Sequence, residues 1–290
     1  MNERLVILAG GISSRMKKTP VKSDISVDKK LLREAQRKSK SMLSVGKNRR
    51  PFLDYLLYNA AQAGYKDIVI VVGDKDESIQ SFYGNKPRNN KYMGLYISYA
   101  VQTIPKGREK PLGTADALLQ ALKVRTDWQG EKCTVCNSDN LYSTNAFRLL
   151  AEDNHPNAFI DYDRSALKFK KSRILKFAVT QKDSQGFLQD IIEKPTPEDI
   201  ERIKNSDGKV GVSMNIFRLS YDMILPFLKK VPINPKREEK ELPEAVVMMT
   251  RKYPRSCYAI LLAEHVPDLT SCNDVENVQQ YLTADFDNLS

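Results

Sequence analysis

The chain has 290 residues, 41% of them hydrophobic, enough for one large domain or two modest ones. No run approaches the ~20 consecutive apolar residues of a membrane span, and no signal peptide is expected before the first strand. The net charge is +10, but its surplus sits between Lys17 and Arg50, where twelve Lys/Arg face three Asp/Glu; the remainder holds 34 basic and 33 acidic residues. A nucleic-acid binder spreads its basic stripe over the domain, so nucleic acid is disfavoured as a partner.

From the N-terminus, the apolar run "RLVI" leads into "LAGGISSRMKK", which reads as a buried strand ending in a sharp turn. Gly10 and Gly11 let backbone N–H groups approach an anion with no Cβ in the way. Ser13 and Ser14 suit a helix start, and Arg15 adds a planar charged fork for phosphate oxygens. "DKKLLREAQRKSK" is expected as an exposed basic helix, with Val27, Leu31 and Ala35 along one face. "RRPFLDYLLYNAAQAG" carries helical spacing from Phe52 to Ala61, between Pro51 and Gly64.

"DIVIVVG" is uniformly apolar, as in a strand covered on both faces. "GLYISYAVQ" is the next strand, "TADALLQALK" a helix, "KCTVCNSD" a third buried strand, "TNAFRLLAED" a helix and "AFIDYD" a strand. Within the third strand, Cys133 and Cys136 point to opposite faces, and no second pair stands nearby. Zinc is therefore disfavoured, and buried reduced thiols in a cytoplasmic protein are expected.

Further on, "RILKFAVT" and "GFLQDIIEK" are expected as an antiparallel pair around "QKDSQG". "VGVSMNIFRL" is a strand, "YDMILPFLKKV" a helix interrupted by Pro226, "PEAVVMMTRKY" a helix, "SCYAILLAE" a strand and "NDVENVQQYL" a closing helix. Alternating strands and helices predict an α/β fold: three layers, Rossmann-like, with a mixed, mostly parallel sheet and helices on both faces. With no linker or repeat, residues 1–290 are expected as a single domain.

Ligands of such sheets bind at the carboxyl ends of the strands, so residues there are the candidates. Gly113 and Thr114 make another close-approach turn before a helix. Asp139 follows a buried strand, where a carboxylate can hold Mg²⁺ shared with phosphates. Glu193 and Lys194 end a strand before a proline, and Lys40 precedes an apolar turn.

In this order, "LAGGISSRM", "KSMLSV", "GTADAL", "NSDNLY" and "IIEKP" resemble the sugar-phosphate nucleotidyltransferases, whose members join a nucleoside triphosphate to a sugar 1-phosphate. "VSMNIF", with Asn215, and "ELPEAV" are looser matches further on. The resemblance implies the nucleotide-diphospho-sugar transferase type of fold, with residues 1–140 as a nucleotide-binding half carrying a basic insertion at 17–40, and 141–290 as a sugar-phosphate-binding half. It also implies a Mg²⁺ cofactor, an NTP and a sugar 1-phosphate (or similar phosphorylated alcohol) as partners, and is compatible with a homo-oligomer.

By the same resemblance, Gly10 and Gly11 pass along the nucleotide, and Arg15 and Lys40 hold the triphosphate. Gln102 helps read the base together with Gly113, and Thr114 also binds substrate. Asp139 binds Mg²⁺, Glu193 meets the sugar hydroxyls and Lys194 the sugar phosphate, and Asn215 is a further substrate-binding residue.

Three departures stand out. The interval from Arg15 to Lys40 is long for the family, leaving Lys29, Lys30 and Lys38 as alternatives. Glu244 falls near the place of the family's second metal-binding aspartate, and is expected as the other ligand. "HVPDLTSCNDVE" replaces the usual tail with its Trp and "GTP"-like turn. A non-catalytic nucleotide-sensing relative and a molybdenum-cofactor guanylyltransferase-like enzyme are the rival readings; the latter leaves the GTADA and EKP segments unexplained.

Overall fold

The computed structural model describes residues 3–11, 16, 29–205 and 207–286. The elements are β1 (Arg4–Leu8), α1 (Lys29–Arg37), α2 (Phe52–Gln62), β2 (Asp67–Gly73), α3 (Ser78–Tyr83), β3 (Asn90–Tyr92), β4 (Leu95–Gln102) and α4 (Thr114–Val124). There follow β5 (Lys132–Asn137), α5 (Thr144–Glu152), β6 (Asn157–Asp163), α6 (Lys171–Ile174), β7 (Val179–Lys182) and β8 (Leu188–Ile192). The chain continues through α7 (Pro197–Ile203), β9 (Gly211–Ser220), α8 (Tyr221–Lys230), α9 (Leu242–Lys252), β10 (Cys257–Leu262) and α10 (Val275–Asp285).

One ten-stranded sheet has the order β10-β6-β9-β5-β1-β2-β4-β3, with β7 and β8 as a hairpin hung on β9. β1 pairs in parallel with β2 and β5, β2 with β4, and β6 with β10. β9 runs antiparallel between β5 and β6. The uniformly apolar strands are covered on both sides, and alternate residues feed two cores. Leu5, Ile7 and Cys136 pack on one face, and Val6, Leu8 and Cys133 on the other. The two CTVC cysteines are thus buried free thiols on opposite faces. No helix of the described residues is long and apolar enough to cross a membrane.

The basic helix is not wholly exposed. Leu31 and Ala35 are buried in the first core, while Arg33 and Arg37 face solvent; Val27 lies outside the described residues. "RILKFAVT" is a strand only from Val179, because Lys171–Ile174 forms a helical turn first. The short β3, α3 and α7 carried too few residues for a periodicity. For α7 a local signal existed nonetheless: Thr196 and Asp199 close a capping box around Pro197.

Candidate active site

β1 is where the strand order reverses: the chain leaves it for β2 on one side and returns to β5 on the other. At the carboxyl ends of these strands lies a cleft of about 370 Å³. One wall begins with Gly10 and Gly11. A Cβ on Gly10 would lie 2.9 Å from Gln102 Oε1, whereas Gly11 has nothing within 4 Å of that position. The first glycine therefore permits contact with Gln102, and the second leaves the turn open to the cleft.

Gln102 ends β4 and is 3% exposed. Its Nε2 donates to the Gly113 carbonyl at 2.9 Å and to Asp116 Oδ2 at 2.8 Å, tying strand to helix. Gly113 precedes α4 with φ +106° and ψ −172°, a region open essentially to glycine alone. This turn is clamped from the far half of the chain. Ala115 N donates to the Lys240 carbonyl at 3.0 Å, and Leu242 N donates to Thr114 Oγ1 at 2.9 Å.

On the floor, Lys40 opens a single 3₁₀ turn, and its Nζ is paired with Asp139 Oδ2. Lys38 pairs instead with Glu34 at 3.6 Å. The loop after β5 is held by a second segment: Leu269 N donates to the Asp139 carbonyl at 2.8 Å, and Asn140 bridges Asp268 across an antiparallel step. Asp268 thus stands behind Asp139, accepting from Arg173 Nη2 and from Thr270 Oγ1, each at 2.6 Å. Burial, then the neighbouring Asp139 charge, push the Asp268 carboxyl above the usual range, against the opposing pull of Arg173.

At the opposite end, Arg237 Nη2 meets Glu193 Oε2 at 3.0 Å and its Nη1 meets Glu241 Oε1 at 2.8 Å. Burial raises the Glu193 pKa; Arg237 works against that shift, and Glu241 reinforces it. Between the ends, β9 breaks register against β6, so that three residues separate Ser213 from Phe217 where one separates Asp161 from Phe159. Asn215 sits in this bulge at φ +57° and lines the cleft, with the Tyr142 hydroxyl holding the preceding Met214 carbonyl at 2.7 Å.

The sequence points to twelve site residues. Gly10, Gly11, Lys40, Gln102, Gly113, Thr114, Asp139, Glu193 and Asn215 all line this one cleft. Lys194 does not: it is exposed beside Glu193, at φ +50°. Arg15 lies outside the described residues, as does 17–28 of the basic insertion; the side chains of Lys29 and Lys30 do too.

Glu244 requires a correction. It stands in the first turn of α9 and is absent from the cleft lining, where Glu241 and Pro243 stand instead. The carboxylate brought beside Asp139 is Asp268. Among the described residues, no three His, Cys, Asp or Glu side chains converge as a metal cluster.

Arg237 and Lys110, which also line the cleft, and Asp268 were missed from the sequence. The first two sit in charged runs with no strand beside them, and their place depends on the loop folding back. For Asp268 a signal existed, since "VPDLT" follows an apolar strand much as "CNSDN" does.

The nucleotidyl transferase family profile matches residues 29–285. A glucose-1-phosphate adenylyltransferase of Corynebacterium jeikeium (strain K411) is 25% identical over 190 residues, 66% of this chain and 42% of that protein. A D-glycero-alpha-D-manno-heptose 1-phosphate guanylyltransferase of Aneurinibacillus thermoaerophilus is 28% identical over 93 residues, 32% of this chain and 34% of its own. The chain thus spans less than half the length of these curated relatives. UDP-glucose pyrophosphorylase, in its crystal structure complexed with UDP-glucose, shares the fold at TM-score 0.69 and 17% identity, covering 98% of this chain and 99% of that one. The sheet order, the cleft at its reversal point and a profile match over most of the length agree: the chain belongs to the nucleotidyl transferase family.

Proposed function

We propose that this protein joins a nucleoside triphosphate to a sugar 1-phosphate, giving an NDP-sugar and pyrophosphate. The observation that carries the reading is the convergence in one cleft of a glycine-lined wall, the Lys40–Asp139 pair and the Glu193–Arg237 pair. An oxygen of the sugar phosphate attacks the α-phosphorus in line, the bond from that phosphorus to the bridging oxygen breaks, and pyrophosphate leaves with the electron pair. The nucleophile is already ionised near neutral pH, so no general base is needed. Positioning and charge neutralisation lower the barrier.

In this reading Gly10, Gly11, Gln102, Gly113 and Thr114 receive the nucleotide, and Lys40 with Arg15 its phosphates. Glu193 and Asn215 accept and donate hydrogen bonds to sugar hydroxyls. Arg237 stands in the cleft where Lys194 was expected to meet the sugar phosphate, and its guanidinium suits that phosphate. The donor set fits Mg²⁺, since Asp139 and Asp268 are two oxygen donors whose mutual repulsion a divalent cation relieves. Asp139 would hold it with Asp268 behind, and the bound ion would neutralise charge between two anionic reactants.

The experiment is pyrophosphate release from each of the four NTPs with a panel of sugar 1-phosphates and Mg²⁺. Release that depends on one NTP and one sugar phosphate supports the reading. Absence of release across the full panel removes it.

A further inference from the structure

Gln102 closes the nucleotide end of the cleft with an amide, and an amide can present either an oxygen or a nitrogen. Its neighbours decide which. Nε2 carries two hydrogens, and both are used: one on the Gly113 carbonyl at 2.9 Å, the other on Asp116 Oδ2 at 2.8 Å. The opposite orientation would turn Oε1 onto those same acceptors, lone pair against lone pair. That cost is high here, because Gln102 is 3% and Asp116 8% exposed.

Asp116 is itself held from behind. Its Oδ1 accepts from Gln120 Nε2 at 2.9 Å, one turn along α4. Gln102 Oε1 is left on the Gly10 side of the cleft; a Cβ on Gly10 would lie 2.9 Å from it, so only a glycine there leaves that oxygen uncovered. Gln102 and Gly10 line the cleft, and Asp116 does not.

We infer that Asp116 is the positioning residue for base selection: by locking the Gln102 amide, it fixes a hydrogen-bond acceptor at the base end of the cleft, which then takes a nucleotide whose base edge offers an N–H at that point. The inference rests on the proposed nucleotide site. A base that turns a ring-nitrogen lone pair to Oε1 sets two acceptors against each other in a desolvated wall, and is rejected for that reason.

The test is calorimetric binding of ATP, CTP, GTP and UTP, each alone with Mg²⁺, to the wild-type chain, Asp116→Asn and Asp116→Leu. The Asn substitution keeps the shape but tolerates either amide orientation, leaving the Gly113 carbonyl alone to hold Nε2, and the Leu substitution removes the acceptor. Expected is a preference for one base in the wild type, and a Kd ratio between best and worst NTP that shrinks about tenfold in both variants, the worth of one hydrogen bond. Should the Leu variant not fold, the isosteric Asn variant carries the result.

A purely structural role would weaken all four nucleotides by a common factor and leave the ratio intact, which overturns the inference. So does a wild type that binds all four equally. Selective NTP binding without pyrophosphate release for any sugar 1-phosphate would sink the transferase reading instead, with the Asp116 outcome still legible in the Kd values.

Discussion

Asp139 is bonded on both of its sides, through its carboxylate to Lys40 and through its carbonyl to Leu269. The backbone tie fixes where the side chain stands, so exchanging the carboxylate for an amide should change charge and little else. Asp139→Asn is expected to cut kcat by roughly 10²–10⁴ while the chain keeps its thermal midpoint. Steady-state rates beside a melting curve check this, and full Mg²⁺-dependent turnover in the variant contradicts the assigned role.

A second residue answers to pH. Burial, then the charges of Lys168 and Arg173, pull His265 down to about 4, and its Nδ1 accepts from Lys168 N, as a neutral ring does. In the unfolded chain it titrates near 6.5. Above that value both states are neutral and nothing is contributed. As pH falls from about 6.5 to 4, the unfolded state takes a proton that the folded state refuses, and stability drops by at most about 1.4 kcal/mol per pH unit. His265→Gln keeps an acceptor for Lys168 N and should flatten that limb, read as a smaller shift in urea midpoint between about pH 7 and pH 5.

Among the elements, the turn before α4 is where backbone geometry is tightest. A Cβ on Gly113 would lie 2.7 Å from the Lys240 carbonyl oxygen, in a conformation already closed to L-residues. Gly113→Ala should therefore cost roughly 2–4 kcal/mol, seen as a lower urea midpoint at unchanged slope. It should also raise KM for the NTP, because the Gly113 carbonyl anchors Gln102. That glycine was legible in the sequence because a turn residue before a helical period carries its own local signal, as do Gly10, Gly11 and Asp139 at the ends of apolar strands. The bulge that aims Asn215 was not legible. It lies where β9 shifts register against β6 just beyond the end of its pairing with β5 at Ile216, and no residue within "VSMNIF" announces that shift. Glu244 was misplaced for a related reason. A carboxylate at a helix start looks alike on every face of the helix, and only the packing of 240–242 against 112–115 decides which residues turn inward.

The two halves of the molecule meet across the cleft through the loop between α8 and α9. At one end this loop is tied at Leu112 and Ala115, and Lys110 approaches Glu238 and Glu239 at 3.8 and 3.6 Å. At the other end it is tied by Arg237 to Glu193. The sheet is continuous beneath both, so in the proposed reaction the loop is the element whose position can set how the two substrates face each other. Arg237 and Glu193 are each about half exposed, and an ion pair in that setting contributes little to stability. Its worth in the proposed reaction lies in orienting groups for the sugar phosphate. Arg237→Met should therefore leave the melting temperature within a degree or two and the KM for the NTP nearly unchanged, while raising KM for the sugar phosphate about tenfold or more. Glu193→Gln alone should raise the same KM. Because each partner positions the other, the double variant should lose less than the product of the two single effects. Full additivity would mean that the two residues act on the sugar phosphate independently, and the loop would then be a cover over the cleft rather than part of its sugar end.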